Sequence, residues 1–97
     1  MEILNAIAKV RFNSARPKRV QLHKSANFTC GLLCLEPGQE LPGNGPCAYY
    51  VIAGSGALEA PGQTQELSMG RLAPCEAGEK HSIVNTSEQR LICLAIS

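Results

Sequence analysis

Chemistry in this chain has to come from a short inventory. There are two histidines (His23, His81), five cysteines (Cys30, Cys34, Cys47, Cys75, Cys93), two tyrosines (Tyr49, Tyr50) and eight acidic residues, all of them glutamate. Aspartate is missing, which excludes an EF-hand loop, an aspartate-held two-metal phosphoryl site and a Ser-His-Asp triad. No GxxxxGK[ST] or GxGxxG phosphate loop occurs, and Ser55 lacks the GxSxG frame of a hydrolase elbow because Ala53 stands in the first glycine position. The cysteines are odd in number, form no CxxC pair and sit mostly in apolar runs, so they read as reduced thiols. Cys30, Cys34 and Cys93 are expected to pack in the core. Cys47 reads as a small interior filler, or as a reactive group if a cationic neighbour lowers its pKa. His23 fits a solvated strand end. His81 is the versatile group, suited to acid–base work, to metal binding, or to an interior hydrogen bond.

The elements that position these groups are strands. Short β-type runs recur with turn signals about every eight to twelve residues, the spacing of a sandwich or barrel. The expected strands are Arg19 to His23, Phe28 to Leu35, Cys47 to Ala53, Ala57 to Ala60, Thr64 to Met69, Arg71 to Pro74, Lys80 to Asn85 and Arg90 to Ile96. Glu36 to Pro46, with three prolines and three glycines, reads as a loop or an interrupted strand. Glu2 to Val10 fits a short helix or an arm strand equally. Strand parity puts His81, Ile83 and Asn85 on one face and sends Tyr49 and Tyr50 to opposite faces. One of the two tyrosines therefore lines the interior and the other packs outward.

The 97 residues make one small domain, with nine basic against eight acidic residues and a net charge of +1. A chain of this size builds a thin core, so a homodimer that covers an apolar face is expected. The charge balance argues against nucleic acid, whose binders carry a basic stripe; Arg11, Arg16, Lys18 and Arg19 lack interleaved aromatics to stack on bases. The N-terminus is not a secretory signal and no apolar run reaches the roughly 20 residues of a membrane span, so a cytoplasmic address without a membrane partner is expected.

Gly70, Gly78, His81 and Asn85 stand at fixed spacing, followed by a final apolar strand. This resembles the second signature of the cupin family, which runs Gly, five residues, Pro, one residue, Gly, two residues, His, three residues, Asn; Glu76 stands where the proline usually does. Tyr50 to Gly56 is similar to the end of the first signature, and counting back from Gly54 puts Cys47 at its glutamate position. The His-x-His of that signature should fall near Glu40 to Gly43, where no histidine occurs. The resemblance implies an all-β, cupin-like jelly roll (double-stranded β-helix) of about eight antiparallel strands over residues 18–97, preceded by a short N-terminal arm at 1–17.

The resemblance also implies that His81 points into the barrel as a metal ligand. The expected function is small-molecule binding in the interior, without the usual three-histidine centre, in a pocket of Cys47, Tyr49, Tyr50, His81 and Ile83. The alternative is a cupin-type dioxygenase or isomerase holding one divalent transition metal (Zn, Fe, Mn, Cu or Ni) through His81, Cys47 and Glu40; Cys75 is near in sequence, but an intervening loop keeps parity from placing it. A third reading makes the chain a structural or regulatory homodimer whose arm, with Ile3, Ile7, Val10 and Phe12, exchanges between protomers.

Overall fold

The computed structural model describes residues 2–97. Its strands are β1 (Lys18–Lys24), β2 (Thr29–Leu35), β3 (Glu40–Asn44), β4 (Cys47–Ala53), β5 (Ser55–Ala60), β6 (Gln63–Ser68), β7 (Leu72–Cys75), β8 (Lys80–Val84) and β9 (Leu91–Ile96). They form two antiparallel sheets, one in the order β1-β2-β9-β4-β7 and the other in the order β3-β8-β5-β6. Ile7–Lys9 forms a single 3-10 turn, and this is all that becomes of the helix-like spacing near the N-terminus. No helix of the described residues is long and apolar enough to cross a membrane.

Nine strands, one more than the sequence suggests, are present among the described residues because the proline-rich segment does pair. β3 is an edge strand bonded only to β8, with Pro42 opposite Ser82. A proline costs little there, since an edge strand has one side on which no donor is needed.

The core lies between the sheets. Leu33, Leu35, Tyr49, Val51, Leu91 and Cys93 from the five-stranded sheet meet Leu67 and Ile83 from the four-stranded one. Alternation along β8 explains the division: His81 and Ile83 are buried while Lys80, Ser82 and Val84 are not. β2 departs from alternation, because Leu32 and Cys34 are also fully buried although they share the other face of the strand. The arm accounts for part of this, as the Arg11 backbone lies against the Cys34 sulfur. Two further contacts hold the arm down. The Arg90 guanidinium sits 4.4 Å over the Phe12 ring, and the Gln39 side chain donates to the Asn13 carbonyl at 2.8 Å. Arg90 also pairs with Glu36 at 2.9 Å.

Asn85, the last residue of the glycine-histidine-asparagine pattern, is a structural part. It is 1% exposed, donates to the carbonyls of Leu35 (2.9 Å) and Gln89 (2.7 Å), and accepts from the Ser87 backbone N–H at 3.0 Å. One side chain thus closes the turn before β9 and fastens it to the end of β2. Asn85→Ala removes the side-chain donor from the buried Leu35 carbonyl, while the Gln89 carbonyl keeps the Ser87 hydroxyl, and urea unfolding should show a loss of about 1–3 kcal/mol, whereas Ser87→Ala should lose less than about 1 kcal/mol.

Candidate functional site

Tyr49 on β4 and His81 on β8 face each other across the open end of the sandwich. Register puts Gly43 of β3 directly opposite His81, and Cys47 of β4 directly opposite Cys75 of β7. The Tyr49 hydroxyl lies 2.6 Å from His81 Nε2, and the two rings meet nearly edge to face with centroids 5.3 Å apart. His81 Nδ1 is 2.9 Å from the Glu79 carbonyl. A carbonyl can only accept, so Nδ1 carries the hydrogen; in the neutral ring Nε2 is then the acceptor and Tyr49 the donor.

The absence of a side chain at position 43 makes this arrangement possible. A Cβ there would lie 2.7 Å from His81 Nε2 and 2.8 Å from the Tyr49 oxygen. Both contacts are closer than real Cβ atoms approach, so any residue other than glycine must push the hydrogen-bonded pair apart.

The two thiols complete the cluster. One ligand atom from each of Cys47, Cys75 and His81 lies within 4.8 Å of the others, and Cys47 Sγ is 3.9 Å from His81 Nε2. The group is a possible metal-binding set. Burial, with Cys47 close by, pushes the Cys75 thiol up to about 11. Burial also raises Tyr49 well above the usual phenol range, helped by Cys47 and only partly opposed by Arg19.

Beside this cluster is a cavity of about 130 Å³ whose walls include Arg19, Asn44, Cys47 and Tyr49. Arg19 reaches it from β1, where it sits opposite the inward residue Leu33. A wider, open groove of about 620 Å³ runs past Asn44, Glu59, Lys80 and His81.

The expected residues therefore fare differently. Tyr49 and His81 meet, and Cys47 stands beside them. Tyr50 is 43% exposed on the outer face, so Tyr49 is the inward tyrosine. Ile83 shares the face of His81 but is packed into the core and is not among the walls of the smaller cavity. Glu40 is not brought to the site: it pairs with Val84, an outward position of β8, and is exposed. Cys75 occupies the place in the cluster that sequence reasoning gave to Glu40. Parity could not find it, because residues 76–79 interrupt the strand pattern between Cys75 and His81. Arg19, unlike Cys75, was not among the candidates, and only its register opposite Leu33 reveals it.

Comparison with known proteins agrees with this geometry at the level of fold. No family model matches the chain, and no curated protein matches it. Among solved structures, a Thermus thermophilus protein superposes with a TM-score of 0.92 at 23% identity, covering 99% of this chain and 95% of its own. A Klebsiella pneumoniae protein with a double-stranded β-helix domain gives 0.91 at 21% identity, covering 99% and 88%. An RmlC-like cupin from Desulfovibrio desulfuricans gives 0.83 at 22% identity, covering 100% and 96%. The chain has the cupin fold. Identities this low establish architecture and leave the chemistry to the residues present. In that fold the usual three-histidine centre does not fit this chain, since Glu40, Leu41, Pro42 and Gly43 stand where the first pair of histidines belongs.

The buried thiols give a direct check of the geometry. Burial, with Cys34 nearby, pushes Cys93 up to about 12, which keeps the thiol protonated at pH 8. With iodoacetamide at pH 8 the native protein should be labelled at the half-buried Cys30 and Cys47, slowly at Cys75, and not at Cys34 or Cys93. Peptide mass mapping of native and urea-unfolded samples reads the order.

Proposed function

We propose that this cupin-fold chain binds a small, mildly anionic organic molecule at the open end of its barrel, and that nucleic acid and membrane are not its partners. The observation that supports the reading is the cavity beside Tyr49. Its 130 Å³ would hold roughly four water-sized groups, the scale of a short carboxylate. Arg19 supplies a cation and Asn44 an amide whose N–H can donate to a carboxylate, whereas Tyr49, whose hydrogen is given to His81, can only accept and suits a hydroxyl of the ligand. Charge-assisted recognition by Arg19 would fix the ligand's orientation.

A second reading has a specific observation behind it. The convergence of Cys47, Cys75 and His81 supports a metal-dependent barrel, with Cys75 in place of Glu40. Catalysis of the dioxygenase or isomerase kind would be an extension of that reading.

The outer face of the five-stranded sheet favours a homodimer. Tyr50, Leu72 and Ile96, on adjacent strands, are each more than two-fifths exposed. A second copy covering them would enlarge the apolar area that a small domain can bury. A reducing, cytoplasmic compartment suits the five free thiols.

Thermal shift of the metal-free, reduced protein against a panel of short carboxylates, each paired with its amide, tests the first reading. At least one carboxylate should raise Tm in a concentration-dependent way, and Arg19→Gln should weaken it about tenfold. Equal response to acids and amides, or no response, would remove the anion from the account. For the dimer, light scattering should give twice the chain mass, with Leu72→Lys shifting it towards the monomer; a monomeric wild type would refute it.

A further inference from the structure

Three observations decide what kind of ion the thiol–imidazole cluster would hold. The first is that the two thiols are badly placed for a disulfide. Val51 N–H bonds to the Arg71 carbonyl, and Pro74, opposite Ala48, has no N–H to offer. Counting back by twos from Val51 makes Tyr49–Ala73 and Cys47–Cys75 hydrogen-bonded pairs of the antiparallel ladder. Side chains at such positions stand farther apart than at the alternate ones, towards the wide end of about 4.5–5.5 Å between Cβ atoms. A disulfide needs about 3.8 Å. An ion between the sulfurs has no such requirement.

The second observation is spacing. Zinc bonds of about 2.3 Å to sulfur and 2.0–2.1 Å to nitrogen, arranged tetrahedrally, separate sulfur from nitrogen by about 3.5 Å. Cys47 Sγ and His81 Nε2 are 3.9 Å apart, within a few tenths of an ångström of that. The His81 ring is already oriented, because Nδ1–H is held by the Glu79 carbonyl, and Nε2, which accepts from the Tyr49 hydroxyl, lies 3.9 Å from Cys47 Sγ.

The third is donor chemistry. Two thiols and one imidazole, with Glu40 turned outward, make a soft set that favours zinc-class ions over the iron or manganese suited to oxygen-rich sites. We propose that Cys47, Cys75 and His81 form a zinc-class site of two thiolates and one imidazole, whose nitrogen the Tyr49 hydroxyl caps until the metal displaces it. The inference rests on the metal reading of the site and adds the class of ion and the group that competes with it. Loading releases one proton from each thiol that becomes a ligand, and the Tyr49 hydroxyl keeps its proton as it turns from Nε2 towards the cavity.

The test uses the full-length, reduced, chelator-treated protein and the metal alone. Zn(II) should bind at one per chain in competition with a chromophoric chelator, releasing about two protons at neutral pH in a weakly buffered indicator assay. Co(II) in the same site should show a thiolate-to-metal charge-transfer band. Cys75→Ser and, as an independent variant at a half-buried position, Cys47→Ser should each weaken binding by at least about a hundredfold and diminish the band. Glu40→Gln should change nothing. Tyr49→Phe should bind about threefold to tenfold more tightly, because one hydrogen bond no longer has to be broken. Undiminished binding in both serine variants, or weaker binding in Tyr49→Phe, overturns the proposal. Retention of iron or manganese in preference to zinc overturns the ion class and leaves the metal reading standing, whereas no binding of any of these metals overturns both.

Discussion

One hydrogen bond, 2.6 Å from the Tyr49 hydroxyl to His81 Nε2, spans the gap between the two sheets where the sandwich opens. It ties β4 of one sheet to β8 of the other and constrains everything around it. It requires glycine at position 43, where a Cβ would collide with both partners. With the Glu79 carbonyl on the opposite nitrogen, it sets the tautomer of the neutral imidazole. It also buries a phenol whose ionisation is opposed by desolvation and by the neighbouring thiols.

The two halves of the glycine-histidine-asparagine pattern serve different purposes. His81 faces the open end, among groups that can exchange partners: a hydroxyl, two thiols, and a cavity with an arginine in its wall. Asn85, four residues on, lies in a closed environment where each polar atom is satisfied by backbone or by Ser87. The difference is one of alternatives. A buried amide bonded to fixed carbonyls has no second arrangement of comparable energy, whereas the His81 lone pair can be taken by a hydroxyl or by a metal. Fixed hydrogen bonding thus sits at the β8–β9 turn, and exchangeable chemistry at the other end of β8.

Much of the barrel was legible because strand periodicity is short and local. Cys47 to Ala53 declares itself through an unbroken run of aromatic, β-branched and small apolar residues, and parity alone placed His81 with Ile83 and separated Tyr49 from Tyr50. β3 was ambiguous, because prolines and glycines are turn residues in most settings and an edge position is a property of the sheet. Glu40 failed as a site residue for a related reason. A register change of one residue reverses the face of a strand side chain, and the segment before Cys47 carries no alternation from which to count.

What the sequence determined by itself was an all-β chain with one histidine at an interior position, a chemistry without aspartate, and thiols free of disulfide spacing. What only the tertiary structure decided was company: Cys75 beside Cys47, Tyr49 against His81, Arg19 at the cavity, and Glu40 turned away. Periodicity specifies which face a side chain takes within its own strand. Neighbours on other strands depend on ladder register and on how two sheets stack, and those are properties of pairs of segments distant in the chain.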